Sequence, residues 1–385
     1  MVRGRLRKLL HPQLGLLVAA AAALWLPTLP RVAEPGDALV ADVTAQLVRR
    51  AEATGEQVAA DRARVTVVRR TGDWAFGTGV VTAPVRPRAY PYGWLFLAQR
   101  AGAGWRVGFE GEGAFAELAG AAPVVGRTER GLLAAVSTEA DRRTGMRLPF
   151  AVGQTWSYTG GPHQMGGSVL SSIDLAGGDL KVLAARGGRA YTMCKGWIRV
   201  LHNGGYATDY YHLWNQISVD GTPVDEGAFL GDAGTDVTCG GGATGRHVHF
   251  SLRRNGEYVP IAGHGIGKWV IYGGAKAYDG YALHGSRRAD VGRTVTNHGA
   301  LRVDQGIVDT DGGGTLRRRS GPGTGHGIVG ELPDGATVTI ACSAAGTEHT
   351  GRSGTTKLWD KLTDGSWVSH AYVWTGTDDP VKGMC

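Results

Sequence analysis

Apolar and polar positions change period several times along the chain, and each change marks a candidate boundary. Residues 38–53 carry Leu39, Val43, Leu47 and Val48 on one stripe, which predicts an amphipathic helix. Strand patterns follow at 64–70, 73–81, 93–100 and 105–110, separated by Thr71-Gly72 and by Ala101-Gly102-Ala103-Gly104. One helix against an antiparallel sheet predicts a small α+β unit over 34–125. A short helical pattern at 129–142 lies in a linker, 126–146, which carries the basic pair Arg142-Arg143, a candidate processing site. Residues 147–286 are rich in glycine and read as short strands and many turns, an all-β antiparallel unit. The pattern changes again through a linker at 287–312 into a last unit at 313–385.

The first 33 residues read differently. Arg3, Arg5, Arg7 and Lys8 precede an apolar run from Leu14 to Leu26. That run falls short of the ~20 residues a membrane-spanning helix needs, so 1–33 reads as a secretory signal peptide. Val32-Ala33 offers a cleavage point, although Arg31 suits it poorly; an uncleaved anchor is the alternative, and both export the rest. The signal also distorts the charge. The whole chain has 41 basic and 34 acidic residues, net +7. Removing the five basic residues of 1–33 leaves 36 against 34, net +2, so nothing points to nucleic acid or to a stable membrane partner beyond the export signal. Glycine, at 63 of 385 residues, signals many turns. Oligomeric state leaves no trace in the sequence.

The candidate chemistry sits in the middle third. Gly161-Pro162-His163 is followed by Ser172-Ile173-Asp174, then Tyr210-Tyr211-His212-Leu213, then Gly245-Arg246-His247-Val248-His249-Phe250. A His-x-His on a strand turns both rings to one face. Four imidazoles and a carboxylate can fill three ligand positions and leave two groups for catalysis. That inventory predicts a hydrolytic zinc (Zn2+) rather than a structural one, since catalytic zinc keeps a position open.

These segments resemble the lysostaphin-type zinc endopeptidases, most closely their β-lytic branch. The similarity runs from about 147 to 285 and includes Trp156 to His163, Ser171 to Leu175, Asp209 to Leu213, Gly227 to Gly234 and Thr244 to Phe250. Trp269-Val270-Ile271-Tyr272 and Tyr278-Asp279-Gly280-Tyr281-Ala282 extend it. The resemblance implies that His163, Asp174 and His249 hold the zinc while His212 and His247 serve as unligated catalytic groups, base and donor in an order left open. It also implies a Gly-rich excursion at Gly166 and Gly167, because His163 and Asp174 are eleven residues apart. His202, His264, His284, His298, His326, His349 and His370 lack this support and read as structural or exposed, with His264, His284 and His298 in loops.

The resemblance further implies a secreted, cell-wall-associated endopeptidase acting on bacterial peptidoglycan, at Gly-containing cross-bridges or stem peptides. A catalytically silent wall-binding regulator and a general extracellular protease are the alternatives; the full ligand set favours an enzyme. The 34–125 unit is then a propeptide covering the cleft or a permanent accessory domain. The 313–385 unit resembles the bacterial SH3-like domain, a small β-barrel. Its Trp359, Trp367, Tyr372 and Trp374 could line a peptide groove or fill the core. Cys194 and Cys239 fall in one unit, Cys342 and Cys385 in another. Of three connectivities, pairing within each unit is the simplest, and it fits export.

Overall fold

The computed structural model describes residues 37–54, 58–137 and 142–385. The signal expected over 1–33 lies outside them. The fold is mainly β, and among the described residues no helix is long and apolar enough to cross a membrane.

Helix α1 (Ala38–Glu52) starts where the Asp37 carboxylate accepts from the Leu39 amide at 3.0 Å. Its buried stripe is Leu39, Val43, Leu47 and Ala51. It packs on a four-stranded antiparallel sheet, β1 (Ala63–Thr71), β2 (Trp74–Val81), β3 (Tyr92–Ala101) and β4 (Gly104–Phe109), in sequence order. A second helix, α2 (Gly113–Ala121), was not expected, and it buries Phe115, Leu118 and Ala119. The helix expected over 129–142 is realised as α3 (Arg127–Leu133). β5 (Arg143–Met146) begins at one of the candidate processing arginines; Arg143 is buried and Arg142 is exposed.

The central region is built on β6 (Thr155–His163), β7 (Ser172–Ala176), β8 (Lys181–Leu183), β9 (Gly188–Cys194), β10 (Trp197–Leu201), β11 (Tyr206–Tyr211), β12 (Leu213–Trp214), β13 (Asp220–Val224), β14 (Phe229–Ala233) and β15 (Val248–Arg254). The large sheet runs β13-β9-β10-β11-β15-β7-β6 and then Thr294–Thr296. One face packs a core that includes Tyr158, Ile173, Leu175, Ile198, Tyr210 and Phe250. The other face carries the alternate residues. There Tyr191, Met193, Trp197, Leu201, Ala207 and Tyr211 share a second buried cluster with Phe76, Val80, Leu95, Leu97, Phe115 and Leu118 of the N-terminal unit. Hence β2, β3 and α2 cover one face of the large sheet. Cys194 joins Cys239 in this region, and Cys342 joins Cys385 near the end of the chain.

A separate seven-stranded sheet spans Gln305–Val308 to Val373–Trp374 around Val308, Val338, Ile340, Val368 and Val373. Trp359 and Trp367 are buried there, so the four candidate groove aromatics do not form one groove. The Trp374 ring instead lies against Gly265 of the central region, where a Cβ would come within 2.6 Å of it. Asp334 accepts from the Ser286 amide at 2.8 Å and its hydroxyl at 2.7 Å. His284 closes the strand Gly280–His284 and stacks on His298 at 4.1 Å, rather than lying in a loop.

Candidate metal centre

Strand register builds the site. β15 lies between β11 and β7, and His249 pairs with Tyr211 on one side and Asp174 on the other. Directly opposed residues on neighbouring strands share a face, so Asp174 and His249 meet without any loop. β6 then pairs with β7, setting His163 opposite Ser172 after a register shift. The intervening turn uses Gly166 (φ +81°) and Gly167 (φ +63°), left-handed positions that glycine takes without strain. Gly160 is needed for a different reason: a Cβ there would come within 2.6 Å of Asp174 Oδ2.

The three groups converge. His163 Nε2 lies 3.0 Å from His249 Nδ1. Asp174 Oδ1 lies 3.3 Å from each of these nitrogens. Ligands about 2.0–2.1 Å from a tetrahedral zinc stand roughly 3.3 Å from one another, so these separations match three edges of one coordination shell. The protein itself leaves this donor set unfinished. Asp174 Oδ1 is buried with no well-aligned hydrogen-bond partner, a costly state for a polar atom unless something else engages it. His163 Nδ1 donates to the Gly161 carbonyl at 2.7 Å, which fixes its tautomer and turns Nε2 inward. Burial pushes the Asp174 carboxyl up, but His163, His249 and His247 hold it well below the usual carboxylate range. Burial takes His249 down to about 4, aided by the neighbouring histidines, which keeps the ring neutral, as a ligand must be.

His212 and His247 stand beside this trio. The backbone at His212 is left-handed (φ +69°), and its Nδ1 donates to the Asp236 carbonyl at 2.8 Å. His247 Nδ1 donates to the Gly245 carbonyl at 2.8 Å. Each ring therefore keeps Nε2 free. The two rings lie 4.8 Å apart, and His247 Nε2 is 3.6 Å from Asp174 Oδ1. Burial, then the charges of His247 and His249, lower His212 to about 3. All five expected residues thus share one site. His202 does not join them: it is buried, with Nδ1 donating to Gly187 O at 3.0 Å and Nε2 2.9 Å from Thr208 Oγ1.

Two tyrosines escaped the candidate set. Tyr278 stacks on His163 at 4.1 Å. Tyr90, from the N-terminal unit, hangs 5.8 Å from the His249 ring and 6.1 Å from His163, and its hydroxyl meets that of Tyr278. The chain leading to it, between β2 and β3, is tied down twice. Ala83 N donates to Cys239 O at 2.9 Å, and Gly241 N donates to Pro84 O at 3.1 Å. Beside this segment a cavity of about 580 Å³ is lined by Arg62, Arg86, Arg88 and Lys276 with no acidic residue.

Residues 170–261 match the family described as Peptidase family M23. The chain is 34% identical over 147 residues to Protease LasA of Pseudomonas aeruginosa, a stretch covering 35% of each protein. It is 29% identical over 148 residues to the Beta-lytic metalloendopeptidase of Lysobacter enzymogenes, covering 35% of this chain and 83% of that one. Among solved structures it matches "A Novel M23 Metalloprotease Pseudoalterin from Deep-sea" at 32% identity, over 39% of this chain and 97% of that chain, with a TM-score of 0.37. Residues 170–261 thus form a Peptidase family M23 domain. M23 metallopeptidases are zinc-dependent, and the His163–Asp174–His249 set fits that ion. The chain spans about a third of LasA, at 35% of its length.

Proposed function

We propose that this protein is a secreted zinc metalloendopeptidase that hydrolyses peptide bonds of bacterial cell-wall peptidoglycan, at Gly-containing cross-bridges or stem peptides. The observation carrying this reading is the unfinished donor set of His163, Asp174 and His249, with two further imidazoles held alongside by their Nδ1 hydrogen bonds. Bound zinc supplies Lewis acidity toward a water and the scissile carbonyl. His212 and His247 move the protons: their free Nε2 atoms can take one from the attacking water or give one to the leaving amine. They can also donate to the carbonyl oxygen as it becomes negative.

The unit at 34–125 is an inhibitory segment in this reading. Its support is Tyr90 standing over the metal ligands and the two backbone ties that hold the approach to Tyr90 in place. The unit at 313–385 is an SH3-like wall-binding module. The signal at 1–33 and the cysteine pairs fit secretion.

The test is digestion of purified wall by the full chain, before and after limited proteolysis of the N-terminal segment. New amino termini, identified by mass analysis, are expected after proteolysis and absent with His249→Ala. A zinc-loaded chain whose N-terminal segment has been cut and separated, yet which leaves the wall peptides intact, would refute the proposal.

A further inference from the structure

On the covered face of the large sheet, away from the metal ligands, lies a charged cluster that the proposed chemistry does not use. Arg199 on β10 grips Asp209 on β11 in a two-point pair: Nε donates to Oδ1 at 2.7 Å and NH2 donates to Oδ2 at 2.8 Å. Tyr258 donates its hydroxyl to Asp209 Oδ2 at 2.8 Å. Arg253 on β15 stands beside them, its guanidinium 4.4 Å from the Tyr258 ring centroid. Arg199, Asp209 and Arg253 are all fully buried.

Within the central region this cluster holds two guanidinium cations and one carboxylate. The second carboxylate comes from the N-terminal unit. Glu110, just past β4, accepts from Arg199 NH1 at 2.6 Å, and its Oε2 lies 3.6 Å from Arg253 NH2. Even so, Arg253 keeps Nε and NH1 buried and without a partner. A buried guanidinium that lacks a counter-charge is expensive, by several kcal/mol per ion. In the covered state the socket is therefore built for two carboxylates, and it still has unused donors.

Its position gives the anion a meaning. Residues 249, 251 and 253 of β15 point to one face, and Ser251 pairs with Asp209. Arg253 is four residues from His249, roughly 13 Å along the strand. An extended peptide with its scissile bond at His249 would bring its residue about four positions away over Arg253.

We propose that Arg199, Arg253 and Asp209 form a carboxylate-binding subsite of the groove, filled by Glu110 in the full chain. An acidic peptide substrate would fill it once the N-terminal segment is displaced, its carboxylate about four residues from the scissile bond. Glu110 holds the place of that substrate carboxylate. This rests on the peptidase reading above, but the socket itself can be tested without catalysis.

Glu110→Ala opens a carboxylate-sized hole between the two arginines, and Glu110→Gln fills it with a neutral isostere. Thermal unfolding of both full-chain variants is followed against added sodium acetate, with sodium chloride at equal ionic strength as the control. Acetate is expected to raise the melting temperature of Glu110→Ala saturably and to leave Glu110→Gln at its chloride value. Equal response of both variants, or of neither, overturns the socket. If Glu110→Ala is recovered folded only when acetate is present during refolding, that is the same positive result; recovery in neither salt counts against it.

A second arm compares two soluble peptides that differ only in Glu or Gln four residues from the cut, using the chain after its N-terminal segment has been cut and separated. The Glu peptide is expected to show a KM at least fivefold lower, and adding Arg253→Gln should erase that difference. Equal KM values overturn the substrate role. Cleavage of neither peptide, with acetate rescue intact, places the failure in the peptidase reading and not in the socket.

Discussion

Replacing His212 separates metal binding from proton transfer, and the structure dictates which replacement to use. The backbone at His212 is left-handed, φ +69°. Alanine would be strained there, whereas asparagine tolerates that region, so His212→Asn is the cleaner probe. It removes an imidazole whose ring lies 4.8 Å from that of His247 and whose Nδ1 is committed to the Asp236 carbonyl. It removes none of the three converging donors, and the His212 ring centroid is 6.0 Å from that of His249. Zinc content should therefore stay at the wild-type level. Lost acid–base assistance costs a factor of roughly 10² or more in kcat, about 2.7 kcal/mol on the barrier. One buried hydrogen bond to Asp236 is weakened, worth about 1 kcal/mol of stability, so the fold survives. The assay pairs elemental analysis with initial rates on a soluble Gly-rich peptide, both chains having been treated identically to free the groove. Loss of zinc would make His212 a ligand. A rate within about threefold of wild type would remove it from the chemistry.

Other outcomes follow from the same geometry. Purified protein should carry close to one zinc per chain, and His249→Ala should lose most of it by elemental analysis; full occupancy in that variant would overturn the ligand assignment. Removing 313–385 should weaken sedimentation with intact wall while sparing hydrolysis of the short peptide, because a tethered module raises local concentration without touching the metal. In that unit His370 Nδ1 lies 2.8 Å from Asp360 Oδ2, both buried. Burial pushes the imidazole down, but the hydrogen bond and charge of Asp360 raise it above its ordinary 6.5 overall. The resulting stability is complete below pH 6.5 and is lost as pH rises through the raised value. Melting temperature should thus fall on the alkaline side, and His370→Gln should flatten that slope; an unchanged slope would refute the assignment.

Much of the site was legible because a strand's period of two is a strict rule. His247 and His249 had to share a face, and the family resemblance marked the Gly-rich stretch between His163 and Asp174 as the place where the chain doubles back. The four N-terminal strands were equally readable from their turns. Helix α2 was not expected: Gly113 and Gly120 weaken its helix propensity, although Phe115, Leu118, Ala119 and Ala122 carry a helical stripe. Glu110 and Tyr90 were invisible for another reason. Their partners, Arg199 and Tyr278, lie 89 and 188 residues away, and an acid at a strand end or a tyrosine in a Pro-rich loop gives no sign of where it docks. The Arg199–Asp209 pair, ten residues apart, could have been read from the Asn203-Gly204-Gly205 turn, which sets these two opposite each other.

The apolar cluster shared by the two units bears on how an inhibitory segment would let go. Phe76, Leu95, Leu97 and Phe115 are buried against Trp197, Tyr191, Met193 and Tyr211, and burial of side chains of this size is worth roughly 1.5–3 kcal/mol each. Cutting the backbone near residue 140 does nothing to these contacts. A nicked protein would remain a two-chain complex, with its lifetime set by an off-rate and not by the protease that nicked it. Scission and the onset of activity would then be separate events, and a gel showing complete processing would not report how much enzyme is open.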